Sequence, residues 1–292
     1  MKILVVGASG YIGTHLVALL KKLTNHKVFA ASRKIKKDLD GHITYVSLDI
    51  SDEKSVEAFI SSYGVPDTLI DLAWIDGFSH QSIKHIDCFR DHYKFCTNLI
   101  DLGCKNISII GTMHEIGFHV GVVNQNTVCK PLSLYGIAKS SLRESLFNYI
   151  IINDKKVNLK WLRTYYITGD DIRNNSIFKK IIIANERGET SFPFTDGLNE
   201  YDFIDVDELA LQIAISAIQE DTTGIIECCS GKPLSLKSRV EQFLRDNQIH
   251  LKLNYGAFPS RKYDSPCIYG DKSKIEYILN AYGDITKLLK GV

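Results

Sequence analysis

Tyr135 and Lys139 stand four residues apart in LYGIAKSSLRESLFNYI, where Leu134, Ala138, Leu142 and Leu146 recur at helical spacing. Both side chains therefore lie on one helix face. A free tyrosine has a pKa of about 10 and trades protons poorly at neutral pH unless a positive charge stabilises the phenolate. Lys139, one turn on, is placed to supply that charge. The same spacing occurs in helices without chemistry, so the pair has meaning only if the rest of the chain brings a reaction to it.

The N-terminal stretch supplies a reason. Lys2 to Val6 is a short apolar run, GASGYIG follows with Gly7, Gly10 and Gly13, and THLVALLKKL then repeats at helical spacing. Strand, glycine turn and helix in this order form a dinucleotide cradle: Gly7 allows the turn, Gly10 admits a pyrophosphate, and Gly13 lets the helix pack close. Ser9, Tyr11 and Ile12 complete the turn and the helix start, whose free N–H groups suit an anion. A second strand, Lys27 to Ala31, ends in Ser32, Arg33 and Lys34, where an NAD site usually carries an acid for the ribose 2′-hydroxyl. Two cations and a hydroxyl favour NADP(H), with NAD(H) still possible.

Ile43 to Leu48 reads as the third strand, with Asp49 and Ile50 at its end. Asp67 to Trp74 reads as the fourth, and its end, at Leu72 and Ala73, should open on the cofactor. Trp74 and His80 beyond it either line a substrate pocket or pack at its rim. A helix from about Asp87 to Leu102 leads to the strand Ile107 to Ile110, which delivers Gly111 and Thr112 to the edge that holds the glycine turn. Strands alternating with helices at this rhythm predict a doubly wound parallel sheet. Asn158 to Tyr166 is a further strand, Val206 to Ile218 a helix, Gly224 to Cys229 a strand, KPLSLKSRVEQFLRDN a helix, LKLNYGAF a strand, and SRKYDSPCIYGDKSKIEYILNAYG a terminal loop and helix. The alternation loosens after about residue 165. The expected organisation is a dinucleotide-binding domain of residues 1–166 with 200–229, and a smaller mixed substrate lobe of 167–199 with 230–292.

Bulk properties narrow the function. The 292 residues carry a net charge of +1, which offers no footprint for nucleic acid or an anionic membrane. The seven cysteines show neither a C-x-x-C pair nor metal-ligand spacing, so no metal is expected and a reducing compartment fits. Cys88, Cys96 and Cys104 recur every eight residues and read as small buried hydrophobes on one side of a helix. No apolar run approaches the ~18 residues of a membrane span. The expectation is a cytoplasmic protein.

With GASGYIG, Thr112 and YGIAK in hand, the chain resembles the extended short-chain dehydrogenase/reductase superfamily, the NAD-dependent epimerase/dehydratase family. LRTYYITG, YDFIDVDELA, GIIECCSGKPLSLKSRVEQF and RKYDSPCIYGDKSKI are similar to further family segments, so the resemblance runs nearly the whole length. It implies that Gly7, Gly10 and Gly13 hold the pyrophosphate, that Arg33 with Ser32 and Lys34 holds a 2′-phosphate, and that Asp49 and Ile50 border the adenine. It implies that Thr112 bonds the reacting sugar oxygen, Tyr135 is the general acid or base, and Lys139 holds the nicotinamide ribose and lowers the tyrosine pKa. Trp74, His80, Met113, His114, Asn175 and Arg261 would face a nucleotide-sugar substrate, Arg261 at its diphosphate. Many relatives form homodimers through two long helices, one of them the Tyr135 helix.

Departures point to the subfamily. Dehydratases carry Asp-Glu after the threonine, where this chain has Met113 and His114. Tight-NAD 4-epimerases carry an acid after the second strand, where this chain has Arg33 and Lys34. TMHEIG resembles 4-keto-sugar reductases, whose glutamate would be Glu115, in a catalytic or a structural role. Tyr166 and Tyr201 replace an asparagine and an arginine that grip the diphosphate; Lys179, Lys180 or Arg187 could compensate. The resemblance thus implies NADPH-dependent reduction of the C4 keto group of a nucleotide-linked 4-keto-6-deoxy sugar, toward a surface polysaccharide. The rivals are a 4-epimerase or epimerase/reductase, and a non-catalytic NADP sensor.

Overall fold

The computed structural model describes residues 1–23, 25–34, 38–259 and 264–282. Apolar runs alternate with amphipathic helices through the first two thirds of the chain, and this alternation builds the main layer. In order it comprises β1 (Lys2–Val6), α1 (Tyr11–Leu23), β2 (Lys27–Ser32), β3 (Asp38–Asp40), β4 (Ile43–Ser47), α2 (Glu53–Tyr63) and β5 (Thr68–Asp71). There follow α3 (Lys84–Asp101), β6 (Asn106–Thr112), β7 (Gly121–Val123), α4 (Leu134–Ile152), β8 (Asn158–Thr164), β9 (Tyr166–Thr168) and α5 (Ile177–Glu186). The chain continues through β10 (Ser191–Pro193), β11 (Glu200–Asp205), α6 (Val206–Ile218), β12 (Gly224–Cys228), β13 (Pro233–Ser235) and α7 (Leu236–Asp246). The last described elements are β14 (Lys252–Asn254), β15 (Cys267–Gly270) and α8 (Ser273–Ala281).

Eight strands form one sheet in the order β12-β8-β6-β5-β1-β2-β4-β3, parallel throughout except for the β3–β4 pair. The winding reverses between β1 and β5, so their C-terminal ends part and leave a crevice where ligands bind in such sheets. Both faces are covered, as a parallel sheet requires. One core joins β1, β2 and α1 to α6 and α8 through Leu16, Leu20, Ile213, Ala217 and Ile278. The other joins the opposite face to α2, α3 and α4 through Phe59, Phe95, Leu99, Leu142 and Trp161.

A second sheet, β13-β11-β15-β7, and the β10–β14 pair lie outside the main layer. The expected division at residue 200 cuts across the hydrogen bonding. Glu200–Asp205 belongs to the second sheet and Gly224–Cys228 to the first. Four sequence readings are refined. The helix expected over KPLSLKSRVEQFLRDN begins only at Leu236, because Pro233–Ser235 pairs with β11 first. The α3 helix starts at Lys84, three residues before the expected Asp87. Cys104 lies past the end of α3, in the turn before β6, though it is buried as Cys88 and Cys96 are. The terminal loop contains β15, which pairs with β7 and β11.

Candidate active site

The dinucleotide cradle is built at the switch point. Gly7 follows β1 with φ +83°, and a Cβ there would lie 2.8 Å from the Ala73 backbone nitrogen at the end of β5. The turn thus touches Leu72 and Ala73. At Gly13 a Cβ would lie 2.2 Å from the Gly7 carbonyl, so the first turn of α1 presses against the end of β1. Ser9 and Gly10 are exposed at the tip, and the Ile12 side chain packs into the core. Tyr11 turns elsewhere: its hydroxyl donates to the Gly169 carbonyl, tying α1 to the loop after β9. Burial pushes this phenol well above its ordinary value.

At the adenosine end, Ser32 carries a buried hydroxyl oxygen with no hydrogen-bond partner. Such an orphan is costly unless a ligand completes it. Arg33 and Lys34 beside it are exposed. The Asp49 carboxylate accepts from the Ser51 N–H at 3.0 Å and the Ser51 hydroxyl at 2.7 Å, so it also shapes the turn after β4. The cradle, the switch point and the orphaned hydroxyl fit a dinucleotide.

Across the crevice, β6 ends at Thr112, paired in register with Thr164 of β8. The α4 helix begins at Leu134, where the Ser133 hydroxyl accepts from the Gly136 N–H at 3.1 Å and caps it. Tyr135 is held there by its own N–H, which donates to the His80 carbonyl at 2.9 Å. Burial pushes the Tyr135 phenol up to about 12, against the opposing influence of the Thr112 hydroxyl. Lys139 is buried, donates to the Ile110 carbonyl at 2.8 Å, and holds its ammonium 3.9 Å over the Trp74 ring. Burial lowers it to about 8, against the opposing pull of Asp71 and Glu115. The sequence reading had Lys139 lowering the tyrosine. In this arrangement the ammonium faces a carbonyl and an indole.

Aromatic rings and histidines surround the tyrosine. His80 stacks on Tyr135 with centroids 5.5 Å apart, and His114 lies 4.2 Å from His80 and 5.9 Å from Tyr135. Trp74 approaches Tyr135 edge-on at 6.2 Å. The Trp74 Nε1–H donates to His85 Nδ1 at 3.0 Å, and His85 Nε2 lies 3.0 Å from the Ser79 carbonyl. With a donor-only indole on one side and an acceptor-only carbonyl on the other, His85 accepts at Nδ1 and donates at Nε2. Trp74 also stacks on His92, whose Nδ1 lies 2.5 Å from an Asp71 carboxylate oxygen. Asp71, His85 and His92 escaped the sequence reading. Asp71 is an acid ending an apolar strand, and the histidines lie seven apart on the buried stripe of α3, which was the available signal.

Met113, next to Thr112, packs with Tyr165 and Tyr201. Tyr166 and Tyr201 contact each other with centroids 4.4 Å apart, so the two departures form one aromatic pair. Asn175 is exposed before α5, and Lys179, Lys180 and Arg187 are carried by that helix and its end. Arg261 lies outside the described residues. Glu115 is buried with all its partners in the protein, the structural alternative of the two weighed for it. All seven cysteines are free. Among the described residues no helix is long and apolar enough to cross a membrane, and no cluster of three or more His, Cys, Asp or Glu could hold a metal ion.

The glycine turn at the switch point, with Tyr135 and Lys139 on the helix across the crevice, suits a known class of fold, and comparison with known proteins agrees. The model of the NAD dependent epimerase/dehydratase family matches residues 3–227, and the chain belongs to that family. It is an oxidoreductase of the extended short-chain dehydrogenase/reductase type. A curated relative, dTDP-6-deoxy-L-talose 4-dehydrogenase (NAD(+)) of Aggregatibacter actinomycetemcomitans, is 41% identical over 285 residues, covering 93% of this chain and 100% of the relative. Among solved structures, UDP-glucose 4-epimerase of Thermotoga maritima with UDP-glucose aligns with a TM-score of 0.81 at 20% identity, covering 95% of this chain and 92% of that one. UDP-glucuronic acid 4-epimerase of Bacillus cereus, in complex with UDP-glucuronic acid and NAD, gives 0.80 at 20% identity over 96% and 93%. The two structures speak to the fold.

Proposed function

We propose that the protein interconverts a keto and a hydroxyl group at C4 of a nucleotide-linked 6-deoxyhexose, working as a reductase of the 4-keto-6-deoxy sugar. The observation that carries this reading is the placing of Thr112 at the end of β6 and of Tyr135 and the buried Lys139 on α4, beside a dinucleotide cradle. The 4-dehydrogenase activity named for the 41% identical relative supports the position of the reaction and the 6-deoxy sugar. A bound nicotinamide dinucleotide supplies or accepts the hydride.

The chain's own residues manage the proton. Tyr135 gives its hydroxyl proton to the oxygen developing at C4, and the Thr112 hydroxyl steadies that oxygen and the phenolate left behind. The ammonium of Lys139, buried one turn away, offsets the new negative charge and orients the ribose of the cofactor. Trp74, His80 and His114 enclose the tyrosine and exclude water. Met113 and the Tyr166–Tyr201 pair border the sugar, and the second sheet with α5 and α7 forms the lobe around the nucleotide.

At the adenosine end, Arg33 and Lys34 offer cations to a 2′-phosphate and the Ser32 hydroxyl offers a bond to a 2′-hydroxyl. The relative's name specifies NAD(+). The reading is that both cofactors serve and Arg33 sets their ratio. The test is an absorbance assay of NADPH and NADH consumption with a panel of nucleotide-linked 4-keto-6-deoxy sugars, beside Tyr135→Phe. Consumption that the substitution abolishes supports the reading. Silence with every sugar, or sugar inversion without cofactor consumption, overturns it.

A further inference from the structure

Three side chains pin the last backbone groups of β6. Lys139 donates to the Ile110 carbonyl at 2.8 Å, the Thr164 hydroxyl donates to the Gly111 carbonyl at 2.9 Å, and the Thr112 N–H donates to Glu115 Oε1 at 2.8 Å. Glu115 has no exposed surface, so it cannot meet substrate in this state. Its Oε1 also accepts from Trp161 Nε1 at 2.8 Å. Its Oε2 receives the Arg143 guanidinium, with Arg163 at 3.7 Å behind it. Gly111 has no side chain because this network fills the space: a Cβ there would lie 2.2 Å from Trp161 Nε1 and 2.9 Å from Glu115 Oε1.

The second half of the network lies on the helix. Arg143 is one turn beyond Lys139 and two beyond Tyr135 on α4, so all three project toward β6. One buried carboxylate therefore joins the strand end that carries Thr112 to the helix that carries Tyr135. A buried ion pair is weak evidence for stability, since desolvation offsets much of its attraction; its attested use is to specify one geometry.

We propose that Glu115, clamped by Arg143 and Trp161, is the positioning residue of the proton-transfer site, setting the placement of the Thr112 hydroxyl against the Tyr135 phenol. This rests on the roles given above to Thr112 and Tyr135. Glu115→Gln keeps an acceptor for the Thr112 and Trp161 N–H groups but turns an amide toward Arg143, so the helix loses this tie to the strand end at Thr112 and keeps only that of Lys139 to Ile110. A misplacement of about 1 Å in such a site lowers turnover roughly 100-fold.

The experiment is a cycle of wild type, Glu115→Gln, Thr112→Val and the double variant, read in two ways. With the nucleotide-linked 4-keto-6-deoxy sugar, kcat should fall about 10- to 100-fold in each single variant, with KM for the cofactor unmoved. The double variant should be no slower than Thr112→Val. A wild-type kcat in Glu115→Gln, or a double variant as slow as the product of the singles, overturns the proposal, because a merely structural carboxylate acts independently of Thr112.

The second reading needs no substrate: the 19F resonance of 3-fluorotyrosine placed at Tyr135. It should move in Glu115→Gln as in Thr112→Val, and show no further move in the double. An unmoved resonance in Glu115→Gln overturns the proposal. If no sugar is turned over by wild type, the functional reading fails while the resonance still decides this one. Should Glu115→Gln not fold, Trp161→Phe removes one bond to the same oxygen and is read by the same two criteria.

Discussion

Replacing Lys139 by methionine should stabilise the apo-protein at neutral pH while removing its activity. Burial takes the ammonium from its ordinary 10.5 to about 8. That displacement corresponds to about 3 kcal/mol held against the charged form. The variant loses the bond to the Ile110 carbonyl, about 1 kcal/mol, and the contact with the Trp74 indole, up to about 1 kcal/mol. The net is a gain of about 1 kcal/mol near neutral pH, where the wild type carries the whole cost. Between about 8 and 10.5 the unfolded chain holds the proton and the folded one does not, so wild-type stability rises with pH across that window. Above it the neutral amine still bonds Ile110, and the order of the two proteins should reverse. Urea unfolding of both apo-proteins near pH 7 and near pH 10.5 measures this through the midpoint. A variant less stable than wild type at neutral pH, or a difference that ignores pH, would refute the reasoning. The lysine would then be comfortably solvated by its surroundings and not a charge kept buried for chemistry.

Two further outcomes follow from the cradle. Arg33→Ala should raise KM for NADPH roughly 10- to 100-fold, the worth of a charge-assisted phosphate bond, and leave NADH within about twofold; equal losses for both cofactors would contradict the 2′-phosphate role. Gly7→Ala meets both a positive φ of +83° and the Ala73 nitrogen 2.8 Å from its new Cβ. NADH titrated by fluorescence should bind that variant at least about 100-fold more weakly, since the strand ends must part by several tenths of an ångström to admit the methyl group.

The parts that were legible in the sequence are local ones. β1, the glycine turn and α1 announce themselves within 23 residues, because a strand period, a turn and a helix period follow one another without tertiary help. Tyr135 and Lys139 share a helix face by spacing alone, and the β6 run delivers Thr112. The second sheet was largely illegible: β7 and β13 are three residues long, β15 four, too short for alternation to register. β7 pairs with β15 across some 145 residues, Gly121 opposite Ile268. Arg143 stood in plain view on the Tyr135 face of α4, yet its partner Glu115 comes from another element and Trp161 from a third. A period along one segment carries no information about a carboxylate approaching from elsewhere. The orientation of Lys139 toward the indole was hidden for the same reason, since Trp74 follows a strand 65 residues earlier.

If the Tyr135 site reduces C4 of a nucleotide-linked sugar, isotope transfer shows it most directly. The protein is incubated with the 4-keto-6-deoxy sugar nucleotide and dinucleotide deuterated at its reactive carbon, and the sugar product is examined by NMR. Deuterium at C4 of the wild-type product, and none with Tyr135→Phe, is the expected result. Product without deuterium at C4, or label transferred equally well by Tyr135→Phe, would contradict it.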